Sequence, residues 1–259
     1  MTRTLEKIFS IDYRSLVCFR ICLALILLFD LIIRFSSLET FYTDMGVLSR
    51  TLLIEKFYWN AMFSFHLIGG SFLAQTILFV AAGLLALALL VGYKTRTAAI
   101  LSWIALVSLH NRNPLVLQGG DVYLRVLLFW AMFLPLGDHF SLDRFLGRTQ
   151  RPAKPYAFSV ATTGIFLQVA FLYWFSVIHK YGPSWFFQGN AVAQALTNAP
   201  FATTIGLLFV KLPPTLLRGM TYFVLFIETA APVFLLSPWK NAHFRLCGVF
   251  LIFLLHLGL

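Results

Sequence analysis

The sequence predicts an all-α, polytopic transmembrane helical bundle of about seven spans, with interfacial helices on the outer face. Three observations carry that reading. Of 259 residues, 59% are hydrophobic and 12% charged, against roughly 45–50% and 25% in soluble domains. The apolar residues gather in long uncharged runs, and about 20 helical residues cross a hydrocarbon core of ~30 Å. Finally, no stretch has the composition of a separate soluble domain, so residues 1–259 read as one membrane domain.

The uncharged runs set the spans in order: residues 15–34, 72–92, 96–111, 121–137, 157–179, 216–236 and 244–259. The first is not a cleaved signal peptide, because Arg20 and Asp30 interrupt it and no small-x-small site follows. The connections 35–71 and 181–214 are too apolar and aromatic for solvated loops. Interfacial or re-entrant pieces are expected there, at 52–66 and 202–210. Only fourteen residues follow Arg245, about 21 Å of helix at 1.5 Å per residue, so the natural chain is expected to continue past Leu259.

With the N-terminus inside, Arg3, Lys7, Arg14, Lys94, Arg96, Arg144, Arg148, Arg151, Lys154, Lys240 and Arg245 fall on the cytoplasmic side, eleven of the twenty basic residues. That bias follows the positive-inside rule and predicts an integral protein of a bacterial inner membrane, N-terminus cytoplasmic. The same topology accounts for the net charge of +10, so no nucleic-acid partner is expected. Cys18, Cys22 and Cys247 form neither a disulfide framework nor a metal-ligand pattern; Cys18 and Cys22, one turn apart in the first span, read as buried packing residues, and no metal is expected.

Charges left over from topology cluster at one depth. Asp30 and Arg34 stand at the outer end of the first span. His110, Asn111, Arg112 and Asn113 close the third, and Gly119, Gly120, Asp121 and Arg125 open the fourth. His179 and Lys180 end the fifth, and His256 falls in the outer half of the seventh. Glu228 lies near the middle of the sixth, with no partner at helical spacing. A charge at the bilayer centre costs ~2.5–3.5 kcal/mol on insertion scales, so such groups face the bundle interior and pair. Their shared depth predicts one polar cavity open to the outer face. Two of the pairs, Asp30 with Arg34 and Asp121 with Arg125, are also spaced i, i+4 and could neutralise each other locally. His66, His139 and His243 read as interfacial or hydrogen-bonded core residues.

Asn-Arg-Asn-Pro at 111–114 and Gln-Gly-Gly-Asp at 118–121 form the most unusual loop. Pro stops the incoming helix, and Asp121 can cap the outgoing one with its charge at the positive dipole end. The loop is either a tight interhelical hairpin or a nest of backbone donors flanked by Arg112 and Arg125, suited to an anionic or carbonyl-bearing ligand.

Residues 41–48 (Phe-Tyr-Thr-Asp-Met-Gly-Val-Leu), 109–121 (Leu-His-Asn-Arg-Asn-Pro-Leu-Val-Leu-Gln-Gly-Gly-Asp) and 134–137 (Leu-Pro-Leu-Gly) resemble the bacterial HTTM family. That family is similar to the transmembrane part of vitamin K-dependent gamma-carboxylase, and the resemblance spans essentially the whole chain. Fainter echoes of the carboxylase are Asp30-x-x-x-Arg34, Lys180 with Trp185 and Gly189, and the stretch from Phe253 to His256. The resemblance implies a membrane site on the outer side, a quinone or hydroquinone cofactor, and a lysine base. Residues 114–121, similar to the lysine-bearing segment, contain no lysine, so carboxylation itself does not carry over. A role in maturing a secreted peptide is the other option the family offers.

Two functions follow. In the first, the protein modifies a secreted or lipid-soluble substrate. Lys180, Asp121, Glu228 and His256 are then the catalytic candidates, with Lys180 the favoured base. Asp30, Arg34, His110, Asn111, Arg112, Asn113, Gly119, Gly120 and Arg125 hold the ligand. In the second, the protein is a non-catalytic partner for an exported peptide or membrane subunit, docked on the aromatic segments 57–65 and 185–187. Transport is less supported, because the charges sit in one leaflet and not along a path.

Overall fold

The computed structural model describes residues 2–57, 63–150, 152–198 and 204–257, and they are mostly helical. In chain order these residues form α1 (Thr2–Phe9), β1 (Ile11–Asp12), α2 (Tyr13–Ser36), α3 (Leu38–Tyr42), α4 (Arg50–Phe57), a 3₁₀ turn at Phe65–Leu67, α5 (Phe72–Val91), α6 (Thr95–Arg112), a 3₁₀ turn at Pro114–Val116, α7 (Gly119–Ala131) and α8 (Leu142–Phe145). There follow β2 (Tyr156–Ala157), α9 (Val160–Ile178), α10 (Pro183–Phe186), α11 (Ala191–Thr197), α12 (Thr204–Phe209), α13 (Pro214–Leu236) and α14 (Asn241–Leu257). Four of them, α2, α5, α9 and α13, are long and apolar enough to cross a membrane. The chain divides into two compact units, Ile11–Thr162 and Met1–Ser10 with Thr163–Leu259.

In the unit 11–162, α2 starts where the Asp12 carboxylate accepts from the Arg14 amide at 2.8 Å and continues for 24 residues, about 36 Å. It packs on α5, α5 on α6, and α6 on α7. A core of Leu38, Tyr42, Phe79 and Leu109 fills one end. The antiparallel pairing of β1 with β2 covers two residues each. α5 ends at Gly92, whose φ of 72° suits glycine and whose missing side chain leaves room for the Arg20 guanidinium; a Cβ would lie 2.5 Å from Nη1. Arg20, fully buried in α2, donates to the carbonyls of Leu136 (2.9 Å) and Phe140 (2.6 Å). α6 is capped from a distance by Asp143, which accepts from the amides of Lys94 (2.8 Å) and Thr95 (2.7 Å) and from Thr95 Oγ1 (2.7 Å). Burial pushes the Asp143 carboxyl up, but these hydrogen bonds outweigh it and hold the group below the usual carboxylate range.

α7 is shorter than the run of 121–137 suggests. It stops at Ala131, and Leu134 closes a 3₁₀ turn onto the Ala131 carbonyl. Pro135 has no amide to continue the ladder and keeps Leu134 from helical geometry. Its 13 residues extend about 20 Å, less than a hydrocarbon core.

In the other unit, α13 packs against α14 around Tyr173, Ile227, Ala231 and Leu255. Gly248 permits the close approach, since a Cβ there would lie 3.0 Å from the Ala231 carbonyl oxygen. Pro232 sits inside α13 and removes the amide that would bond the Glu228 carbonyl. Arg245 of α14 donates to the carbonyls of Lys7, Ile8 and Ser10, closing the C-terminal end of α1 where a cation is favoured.

Cys18 and Cys22 correct the expectation of burial, because both are exposed, as is Cys247. Cys18 and Cys22 share a face of α2 with Leu25, Ile26, Phe29, Ile32 and Ile33, all half or more exposed. In a membrane protein an apolar face is turned to lipid as readily as to the core, so apolar surroundings in sequence do not imply burial. Of the expected interfacial pieces, 52–66 holds part of α4 and the start of a 3₁₀ turn, and 202–210 holds α12; residues 58–62 and 199–203 lie outside the described ones.

Candidate functional site

Four elements of the unit 11–162 bring charges together. α2 supplies Asp30 and Arg34 one turn apart, α3 supplies Tyr42, the last turn of α6 supplies His110, and the first turn of α7 supplies Asp121. The Arg34 guanidinium is the hub. Its Nε donates to both Asp30 oxygens (2.8 and 2.9 Å), Nη1 to the Tyr42 hydroxyl (2.9 Å) and Nη2 to Asp121 Oδ1 (2.5 Å). A guanidinium has five N–H groups, so two remain without a partner among the described residues. Asp121 Oδ2 accepts from the Gln118 amide at 2.7 Å, which both caps α7 and fixes the carboxylate.

That fixation takes Asp121 away from Arg125, the local pairing that the i, i+4 spacing left open. The Asp121 side chain is turned back toward the helix N-terminus, where Gln118 and Arg34 hold it, and away from the residue one turn ahead. Arg125 makes no hydrogen bond or ion pair among the described residues. Asp30 and Arg34 do pair, within a network that also reaches across to α7.

A cavity of about 540 Å³ opens beside this network, lined by Asp30, Arg34, Gln118 and Asp121 together with apolar Ile26, Ile33, Phe41, Val116 and Leu124. Gly120 gives its wall no side chain. His110 is 1% exposed. Its Nε2 lies 4.0 Å from Asp121 Oδ1, and neither ring nitrogen has a hydrogen-bond partner among the described residues.

The neighbouring polar residues are hydrogen-bonded to the adjoining loops. Arg112 is fully buried and donates to the carbonyls of Leu48 (2.9 Å) and Thr43 (3.0 Å). Asn113 donates to the Phe41 carbonyl and caps the Pro114–Val116 turn by accepting from the Leu115 amide. Asn111 donates to the Phe63 carbonyl. Of the Arg112 donors, Nη1 and Nη2 are thus committed to main-chain carbonyls, while Nε has no hydrogen-bond partner among the described residues. Gly119 opens α7 with free space around it.

Lys180, Glu228 and His256 lie in the other unit. The Lys180 ammonium pairs with Glu228 Oε2, and the Ser176 hydroxyl donates to Oε1 at 3.1 Å. Lys180 also lies 4.4 Å from the centre of the Trp185 ring. Tyr173 Oη is 2.9 Å from His256 Nε2. Glu228 thus has a partner, one that helical spacing could not reveal because it comes from another element.

Sequence reasoning passed over Asp44, Arg50 and Gln75, and read His66 only as an interfacial or hydrogen-bonded core residue. Asp44 pairs with Arg50 (2.7 Å), whose Nη1 donates to the Leu67 carbonyl. The Arg50 hydrogen bond holds the Asp44 carboxyl below the usual carboxylate range. A Cβ at Gly70 would fall 1.8 Å from the Asp44 carboxylate, so glycine there makes room for the acid. The one available signal was Asp44 itself, a rare acid inside an aromatic run. His66 Nδ1 lies 2.6 Å from Gln75 Oε1, both side chains buried. Burial lowers the His66 pKa from 6.5 to about 4. His66 is therefore neutral in the folded protein and takes up its proton more readily when unfolded. Stability is full above about pH 6.5 and is lost as pH falls from there through about 4, on the order of 3 kcal/mol in total. Thermal melts of purified protein across that window check this, with a smaller slope expected in His66→Asn.

No family model matches the chain, and neither the curated proteins nor the solved structures include a significant match to it.

Proposed function

We propose that the unit 11–162 binds a membrane-dissolved amphiphile of the quinone or hydroquinone class, and that the protein uses it to modify a secreted or lipid-soluble substrate. The observation that carries this is the cavity of about 540 Å³, whose lining combines the charged groups Asp30, Arg34 and Asp121 with apolar side chains such as Ile26, Ile33 and Leu124. Arg34 has two N–H groups left for a carbonyl oxygen, and Asp30 and Asp121 can accept from a hydroxyl. Ile26 and Ile33, at 53% and 54% exposed, flank it with surface suited to an isoprenoid or acyl tail. The resemblance of residues 41–48 and 109–121 to the HTTM family supports the same ligand class.

In this reading the chain crosses the membrane about seven times, N-terminus cytoplasmic, with α6, α14 and the segment that α7 opens and residues 132–137 continue joining the four longer spans. Lys180, paired with Glu228 in the other unit, is kept as the candidate base. A short-tailed quinone or hydroquinone, titrated onto the purified chain and followed by quenching of tryptophan fluorescence, should bind saturably. Lys180→Ala should leave that binding intact. Absence of saturable binding for both forms sinks the proposal.

The second reading, a docking partner for an exported peptide or membrane subunit, is favoured by one observation. Tyr181 and Phe187 are about 80% exposed and Phe186 is half exposed, a dense aromatic cluster around 185–187. In the segment 57–65, Phe63 and Phe65 are exposed and stacked edge-on at 4.6 Å, while 58–62 lie outside the described residues.

A further inference from the structure

We propose that Asp30, His110 and Asp121 hold a divalent transition-metal ion. One ligand atom from each lies within 4.8 Å of the other two. The independent sign is His110. A buried imidazole with both nitrogens unpartnered among the described residues leaves polar groups unsatisfied, which native structures rarely tolerate. Its Nε2 is aimed at Asp121 Oδ1 across a 4.0 Å gap, too long for a hydrogen bond.

The donor set selects the ion. Two carboxylate oxygens and one imidazole nitrogen, with no thiolate, suit Mn²⁺, Fe²⁺, Co²⁺ or Zn²⁺. An ion about 2.0–2.2 Å from each ligand needs the three side chains to close by about 1 Å. Arg34 already holds both Asp30 oxygens and Asp121 Oδ1, the oxygen nearest His110 Nε2, and the Gln118 amide holds Asp121 Oδ2. They act as the outer hydrogen bonds that orient metal-bound carboxylates, while the ion takes the remaining lone pair of Asp121 Oδ1 toward His110. Two carboxylates against one guanidinium leave a net negative charge to attract it. Arg125, one turn along α7, also acts on His110 and opposes the ion. Three protein ligands leave coordination positions open, as catalytic sites do, and Asp30 and Asp121 line the cavity. The ion's contact with a ligand oxygen rests on the amphiphile-site reading; its binding does not.

The test is Co²⁺ titration of the purified full chain, stripped with a chelator, followed by the visible d–d bands of the bound ion. One equivalent should bind and be displaced by Zn²⁺. His110→Gln, which removes a ligand and keeps a polar side chain, should weaken Co²⁺ by about 100-fold or more, beyond the 10–100-fold typical of outer-shell changes. Arg125→Gln should tighten it several-fold. Gel filtration and melting of each variant in chelator report its folding, and Asp30→Asn serves if His110→Gln does not fold. Failure of wild-type protein to bind Co²⁺, Zn²⁺ or Mn²⁺ overturns the proposal, as does binding unchanged in the ligand variants. Quinone binding that persists in chelator alongside either result overturns the metal alone and leaves the amphiphile site standing.

Discussion

Arg34→Gln is expected to abolish saturable quinone binding and to destabilise the unit 11–162 by about 3–5 kcal/mol, the loss typical when one partner of a buried ion pair is removed. Among the described residues Arg34 is the only cation in contact with both Asp30 and Asp121, whose side chains are 21% and 12% exposed. Without it two carboxylates face each other across the cavity, and the Tyr42 hydroxyl loses its donor. Asp30→Asn should be milder, because Asp121 stays paired and a neutral amide still accepts from Nε. Melting temperatures in one detergent, read beside the quinone titration, check both statements. If Arg34→Gln melted like wild type, the network would not be holding these helices.

The second large effect is expected at Arg112. Arg112→Met keeps the volume of the aliphatic stem but strands the carbonyls of Thr43 and Leu48 and leaves Asp44, 3.8 Å away, with Arg50 as its remaining cation. Unmade buried hydrogen bonds cost about 1–3 kcal/mol each, so a total near 3–5 kcal/mol is expected. The readout is local as well as global. Hydrogen exchange at residues 43–50 should accelerate more than exchange in α2 or α5, since Arg112 is what fastens that loop to α6. Arg112→Lys should rescue little, because one ammonium cannot reach both carbonyls in the fixed fork of a guanidinium.

Helices and local charge pairs were legible in the sequence, because both depend on neighbours within a few residues. The uncharged runs located α2, α5, α9 and α13, and the i, i+4 spacing located Asp30 with Arg34. Asp121 read correctly as a cap, since acid after two glycines at a helix start has one economical use. The partners across the fold were not legible. Arg34 meets Asp121 over 87 residues and Lys180 meets Glu228 over 48, and no periodicity encodes either. Arg112 stood beside a loop that looked like a ligand nest, yet its side chain runs into the 43–48 segment, a direction that depends on how α6 is rotated. The three groups now proposed as metal ligands come from three helices, which is why no ligand spacing was visible. The early end of α7 was readable at Pro135; hydrophobicity outweighed it because the run stays apolar to Gly137.

The central claim is that the cavity beside Arg34 is a ligand site and not a gap in packing. A density map of the protein in lipid nanodiscs with a short-tailed quinone added tests it most directly. The account predicts density for the head group within hydrogen-bond distance of the Arg34 guanidinium, with its tail leaving between Ile26 and Ile33. A cavity closed by the protein's own side chains, or ligand density bound elsewhere with Arg34, Asp30 and Asp121 unchanged around an empty space, would contradict it.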